Sequence, residues 1–136
     1  MSTTATATET SRLIGAYLVN GKMGNAGMPG APIANFSLVV VPSTNSVSGT
    51  VEIKQALGSH GSIIVNVSGE IRATGYGKVT KVVSLTGKYV QVATPPAIGA
   101  YLANFSAHLA IDNDWNGQGG FSYGTHDVEN VPVSKS

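Results

Sequence analysis

Residues 101–111 read Tyr-Leu-Ala-Asn-Phe-Ser-Ala-His-Leu-Ala-Ile, and this stretch decides the fold. Tyr101, Ala103, Phe105, Ala107, Leu109 and Ile111 alternate with Asn104, Ser106 and His108. In a strand, side chains one apart point to opposite faces, so a period of two sorts this run into a dry face and a wet one. A helix would mix the two sets around its circumference. The run is therefore a core strand.

The same period extends in both directions. Upstream, residues 12–20 (RLIGAYLVN) read as a first strand, and Gly21 to Gly30, with four glycines and a proline, as a loop. Pro32 to Val41 is a second strand, with Ala34, Phe36, Leu38 and Val40 on one face. Pro42 to Ser46 is a turn, and the third strand, Val47 to Ala56, turns Val47, Val51 and Ile53 inward and Ser48, Thr50, Glu52 and Lys54 outward. A turn at Gly58-Ser-His-Gly61 leads into Ile63 to Thr74, and Gly75-Tyr-Gly77 breaks the chain before Val79 to Val92, read as two strands or one long bent one. Pro95-Pro96 ends pairing before the 101–111 strand. Beyond it, Asp112-Asn-Asp114 reverses the chain, and Trp115 to Thr125 returns as a last strand.

The expected fold is all-β, an antiparallel sandwich or flattened barrel of about eight strands. Residues 12–125 form one β-domain on this reading, between a disordered tail at 1–11 and a polar tail at 126–136. Gly49, Gly69 and Gly87 recur in similar settings at spacings of 20 and 18. Glycine inside a strand marks a bend or a close backbone approach, so the three predict a sheet that coils at one level.

Composition narrows the function. Charged residues make up 11% of the chain, where about 25% is usual, and eight basic residues against seven acidic ones leave a net charge of +1. The basic residues are scattered singly, without the patch that nucleic acid or an anionic membrane demands. The lack of cysteine removes thiol catalysis, disulfides and cysteine-based metal centres. No apolar run approaches the roughly 20 residues of a transmembrane helix. Met1 to Ser11 has neither the positive nor the apolar region of a secretory signal, so the cytoplasm is the expected location, with export by another route left open.

Candidate chemistry is sparse. His60, His108 and His126 have no metal-ligand spacing among them, and acid–base catalysis would require His108 to meet a carboxylate in a cleft. No nucleophile elbow, phosphate loop or dinucleotide fingerprint occurs. Asp112-Asn-Asp114-Trp-Asn116-Gly117 matches the first half of a calcium loop, so Asp112, Asp114 and Asn116 are calcium candidates. The second half fails: the twelfth position is Tyr123 rather than a bidentate Glu. Trp115, among polar turn residues, is a candidate stacking platform for a sugar, which makes Asp112, Asp114, Trp115, Asn116 and Tyr123 the candidate ligand-binding set.

The segments Val47-Ser-Gly-Thr-Val-Glu-Ile-Lys-Gln-Ala56 and Asp112-Asn-Asp-Trp-Asn-Gly-Gln-Gly-Gly-Phe-Ser-Tyr123, with the Pro95-Pro96 break, give the chain a family likeness. Over residues 12–125 it resembles small uncharacterised proteobacterial proteins grouped as a domain of unknown function, some of which look like seroreactive antigens. The resemblance implies a compact β-domain from a bacterium and carries no functional residues.

The sequence therefore points to a non-catalytic binding or protein-interaction module, without cofactor, nucleic-acid partner or membrane insertion, and able to self-associate. Such a module should expose an apolar or aromatic patch near Trp115, Tyr123 or the 21–30 loop. The alternatives are a lipophilic-ligand barrel with a cavity lined by Tyr17, Phe36, Tyr101 and Phe105, and a calcium- or carbohydrate-binding module at the 112–118 turn.

Overall fold

The computed structural model describes residues 15–25, 27, 28, 30–54, 63–74, 77, 79–92 and 98–136. The period-two segments become eight strands: β1 (Tyr17–Met23), β2 (Ile33–Val41), β3 (Ser46–Lys54), β4 (Ile63–Ala73), β5 (Lys81–Val92), β6 (Ala100–Ile111), β7 (Gly117–Tyr123) and β8 (His126–Lys135). Each strand pairs antiparallel with the next, and β1 pairs with β8, so the sheet closes into an up-and-down barrel. Of the two expected architectures, the chain adopts the barrel.

An eight-stranded barrel has an interior just wide enough for side chains to fill. Here the inward positions build one apolar cluster, and among the described residues no polar or charged side chain is buried. Large and small residues face each other across the strands. Phe36 lies opposite Gly21, Phe105 opposite Gly87 and Phe121 opposite Ala107. A Cβ on Gly21 would come within 2.4 Å of the Phe36 ring, so the ring occupies the space its neighbour leaves.

Gly49, Gly69 and Gly87 take inward positions on β3, β4 and β5, and the sheet draws together there as expected. A Cβ on Gly69 would lie 1.7 Å from the Ser84 carbonyl oxygen, a contact no side chain can make. The outward face at mid-height is a belt of small hydroxyls. Ser48 pairs with Ser68, Ser68 with Thr86, Thr86 with Ser106 and Ser106 with Ser122, and the row ends at Asp127.

The structure corrects the sequence reading at two places, the first strand and the C-terminal tail, and decides between two alternatives at a third. The first strand runs from Tyr17 to Met23 rather than over 12–20, so Gly21 to Met23, read as loop, are strand. Val79 to Val92 holds a single strand, β5. The polar tail at 126–136 is β8, which supplies the eighth strand and closes the barrel. The tail at 1–11, Arg12 to Ile14, the Gly58 to Gly61 turn with His60, and Pro95-Pro96 lie outside the described residues.

Candidate functional site

The 112–116 turn follows β6 at one end of the barrel. Asp112 organises it: its Oδ1 accepts the backbone N–H groups of Asp114 (2.8 Å) and Asn116 (3.0 Å), while its own N–H donates to the Asn116 carbonyl (2.9 Å). Asn116 Oδ1 accepts the Lys135 N–H at 3.3 Å. The D-x-D-x-N letters thus answer to turn chemistry, with side-chain oxygens directed at the protein's own amides. Among the described residues no group of three or more His, Asp or Glu could hold a metal ion.

Trp115 has a positive φ of 63°, a conformation that costs an ordinary residue about 1–2 kcal/mol. It turns the indole into the barrel end, where the side chain is only 2% exposed. The ring packs edge-on to Tyr17 (centroids 6.5 Å apart) and tilted against Phe36 (5.9 Å), and Nε1–H donates to the Tyr17 hydroxyl at 3.2 Å. The stacking platform expected at Trp115 is therefore corrected: a residue flanked by Asp and Asn looks exposed in sequence, but its αL backbone sends the ring inward.

Tyr123 stands at the opposite end of β7 and is buried, so the structure does not bring it to the 112–116 turn. Phe121 (5.9 Å) and His126 (4.9 Å) both stack with its ring. Burial, and then the neighbouring Tyr89, raise the Tyr123 hydroxyl above the usual tyrosine pKa. Tyr89 is raised likewise by burial and then by Tyr101, and its buried hydroxyl has no hydrogen-bond partner. The cavity expected from Tyr17, Phe36, Tyr101 and Phe105 is not assembled by these four. Phe36 and Phe105 belong to the packed core, whereas Tyr101 is more than half exposed at the opposite barrel end from Tyr17.

One juxtaposition escaped the sequence reading. His108 on β6 reaches Glu129 on β8 across the intervening β7, with Nε2 3.5 Å from Oε2. Alternate strands are separated by about 9.5 Å, so two side chains meet over the middle strand only if it offers no obstruction. Gly120 provides that: a Cβ there would lie 2.9 Å from both His108 Cε1 and Glu129 Oε2. A bulge helps, because β8 spends three steps, Val131 to Val128, against the two from Gly119 to Phe121, with Asn130 at φ 56°. The pair is open to water, with side chains 59% and 58% exposed, and occupies no cleft. The Gly119-Gly120 doublet is the sequence signal that could have pointed to it.

Apolar exposure is greater at the barrel end away from Trp115, although Leu18 (77% exposed) and Val39 form a second outward pair at the Trp115 end. At the end away from Trp115, Val90 (66% exposed) and Leu102 (68%) form an outward cross-strand pair on β5 and β6; Ile98 (98%) precedes β6 at the same end, and Tyr101 (58%), one residue from Leu102, is exposed on the opposite face of the strand at the barrel mouth. Met28 and Ile64 are exposed at the same end. These residues lie at the end opposite Trp115, the end that also holds Tyr123, which is itself buried. Only Met28 falls within the 21–30 loop where an exposed patch was expected.

A family model described as a domain of unknown function (DUF1842) matches residues 14–127, from ahead of β1 to the start of β8. No curated protein matches the chain.

Proposed function

The chain belongs to the DUF1842 family, a domain of unknown function, and we propose that it serves as a non-catalytic protein-interaction module that docks through the apolar end of its barrel. The observation that carries this reading is the exposure of the outward pair Val90 and Leu102, with Ile98 exposed at the same end of the barrel. Exposed apolar side chains gathered in a polar surround mark association sites. The occupant we commit to is a second copy of the chain. A net charge of +1 gives two copies little repulsion, and both signs border the patch: Lys88 beside it on β5, and the Glu52–Lys54 pair at the same end of β3. A two-fold contact needs that self-complementarity.

Catalysis is disfavoured on physical grounds. Among the described residues, the one histidine–carboxylate pair, His108–Glu129, sits on an open face with both side chains more than half exposed to water. The hydroxyl belt also argues against lipid around the barrel wall, since a barrel that spans a bilayer turns an apolar band outward. Among the described residues no helix is long and apolar enough to cross a membrane. Residence in the cytoplasm fits this reading.

Sedimentation velocity over about 1–200 μM tests the proposal. A concentration-dependent dimer that Leu102→Lys and Ile98→Asp each return to monomer is expected. A monomer at every concentration, or a dimer indifferent to both substitutions, would overturn it.

A further inference from the structure

The other end of the barrel holds a cavity of about 180 Å³ beside the Trp115 plug. Its walls are Val40 of β2, Pro42 of the β2–β3 turn, and Ile71 and Ala73 of β4, with the Tyr17 ring on one side. The turn is fixed around it: Pro42–Thr44 form a single 3-10 turn, Asn45 closes it with φ 54°, and the Ile71 N–H donates to the Asn45 carbonyl at 3.0 Å. Asn45 and Lys81 supply the polar lining.

Lys81 is the unusual member. It occupies an inward position on β5, in step with Val83, Leu85 and Tyr89, where the strand pattern calls for an apolar residue. Its ammonium lies 5.8 Å from the centre of the Tyr17 ring. Among the described residues it has no carboxylate partner, the ion pairs there being those of Lys54, Arg72 and His108. A half-buried cation at the mouth of an apolar cavity, without a counter-charge, suits a ligand that brings its own.

We infer that this cavity binds a small amphipathic monocarboxylate, its apolar body against Val40, Ile71 and Ala73 and its carboxylate on Lys81. At roughly 30 Å³ for each water-sized group, the space holds about six non-hydrogen atoms, the apolar body of the ligand, with the carboxylate outside them on Lys81. This is the size of a short fatty acid rather than of a long-chain lipid. The charge-assisted contact gives selectivity for the acid over the alcohol of the same length. The site lies at the opposite end of the barrel from the proposed docking surface and does not depend on it.

Trp115 is the sole tryptophan and is hydrogen-bonded to the cavity-lining Tyr17, so it reports occupancy. The full chain is titrated with sodium hexanoate, 1-hexanol and sodium acetate, following Trp115 emission and the methyl resonances of Ile71 and Ala73. Saturable changes with hexanoate, at least tenfold weaker with hexanol and acetate, are expected. Lys81→Met should weaken hexanoate about tenfold and leave hexanol unchanged. Hexanol binding as tightly as hexanoate in the wild-type protein would overturn the carboxylate assignment without recourse to any variant. Absence of saturable change at Ile71 and Ala73 with hexanoate would overturn the site itself.

Discussion

The barrel wall between β5 and β6 and the seam between β1 and β8 are held by different means. β5 and β6 are paired over twelve positions, from Lys81↔Ile111 to Val92↔Ala100. The seam has three, Gly21↔Lys135, Lys22↔Ser134 and Met23↔Val133, extended by backbone bonds from Gly24 to Pro132 and from Ser136 to Asn20. A hairpin closes a short loop, whereas the seam joins strands more than a hundred residues apart and carries the larger closure entropy. Side chains make up the difference. The 112–116 turn touches both flanks of the seam, β1 through the Trp115–Tyr17 hydrogen bond and β8 through Asn116 and Lys135. The wall is a ladder; the seam is a ladder fastened by a plug.

This contrast predicts that the seam breaks when atoms are removed and the wall when they are added. Trp115→Ala should have the largest effect, a loss of about 3–5 kcal/mol in urea denaturation, as for a buried large aromatic. The amides of β1 and β8 should then lose hydrogen-exchange protection ahead of those in β5 and β6. Equal loss everywhere would show that the plug is ordinary core. On the wall side, Gly69→Ala should cost about 2–3 kcal/mol, because the new methyl meets the Ser84 carbonyl and neither backbone can retreat. A cost below about 0.5 kcal/mol would mean that β4 and β5 are looser than their spacing implies.

Two smaller effects sharpen the comparison. Asp112→Ala removes the acceptor of two turn N–H groups and should cost about 1 kcal/mol, with faster amide exchange at Gly21 to Met23 and no change along β6. Exchange that rises equally on both sides would separate the turn from the seam. Tyr89→Phe, on β5, should leave stability at neutral pH unchanged or raise it by up to about 1 kcal/mol, since the buried hydroxyl lacks a partner. The same residue sets a pH dependence. The folded-state pKa values of Tyr89 and Tyr123 are raised, so their contribution is fully present below the ordinary tyrosine value of 10.0 and is lost as pH rises through the folded values. Tyr89→Phe should flatten that alkaline fall, and a denaturation series from pH 8 to 11.5 by the same principle would show a parallel curve if the idea is wrong.

Legibility followed the local period. β2, β3 and β6 could be read because their inward residues recur every second position without interruption. β8 could not, because its bulge spaces the inward valines at 128, 131 and 133 and so breaks the period. Gly21 read as a loop residue, although its missing side chain is what admits the Phe36 ring. Trp115 read as a surface aromatic, since nothing local announces that its backbone is left-handed. The predicted site residues Asp112, Asp114 and Asn116 do share one turn, a matter of adjacency in sequence, whereas Tyr123 lies a full strand away.

The sequence by itself determined which residues of β2, β3 and β6 face in and which face out, the all-β class and the shortage of charge. Those are properties of neighbours along the chain, written in a period of two. Only the tertiary structure decided that the sheet closes rather than stacks as a sandwich, that Glu129 meets His108 over Gly120, and that Lys81 stands at the mouth of a cavity. Each of these brings together residues from strands far apart in the chain, and a short-period pattern carries no information about which distant edge a strand will find.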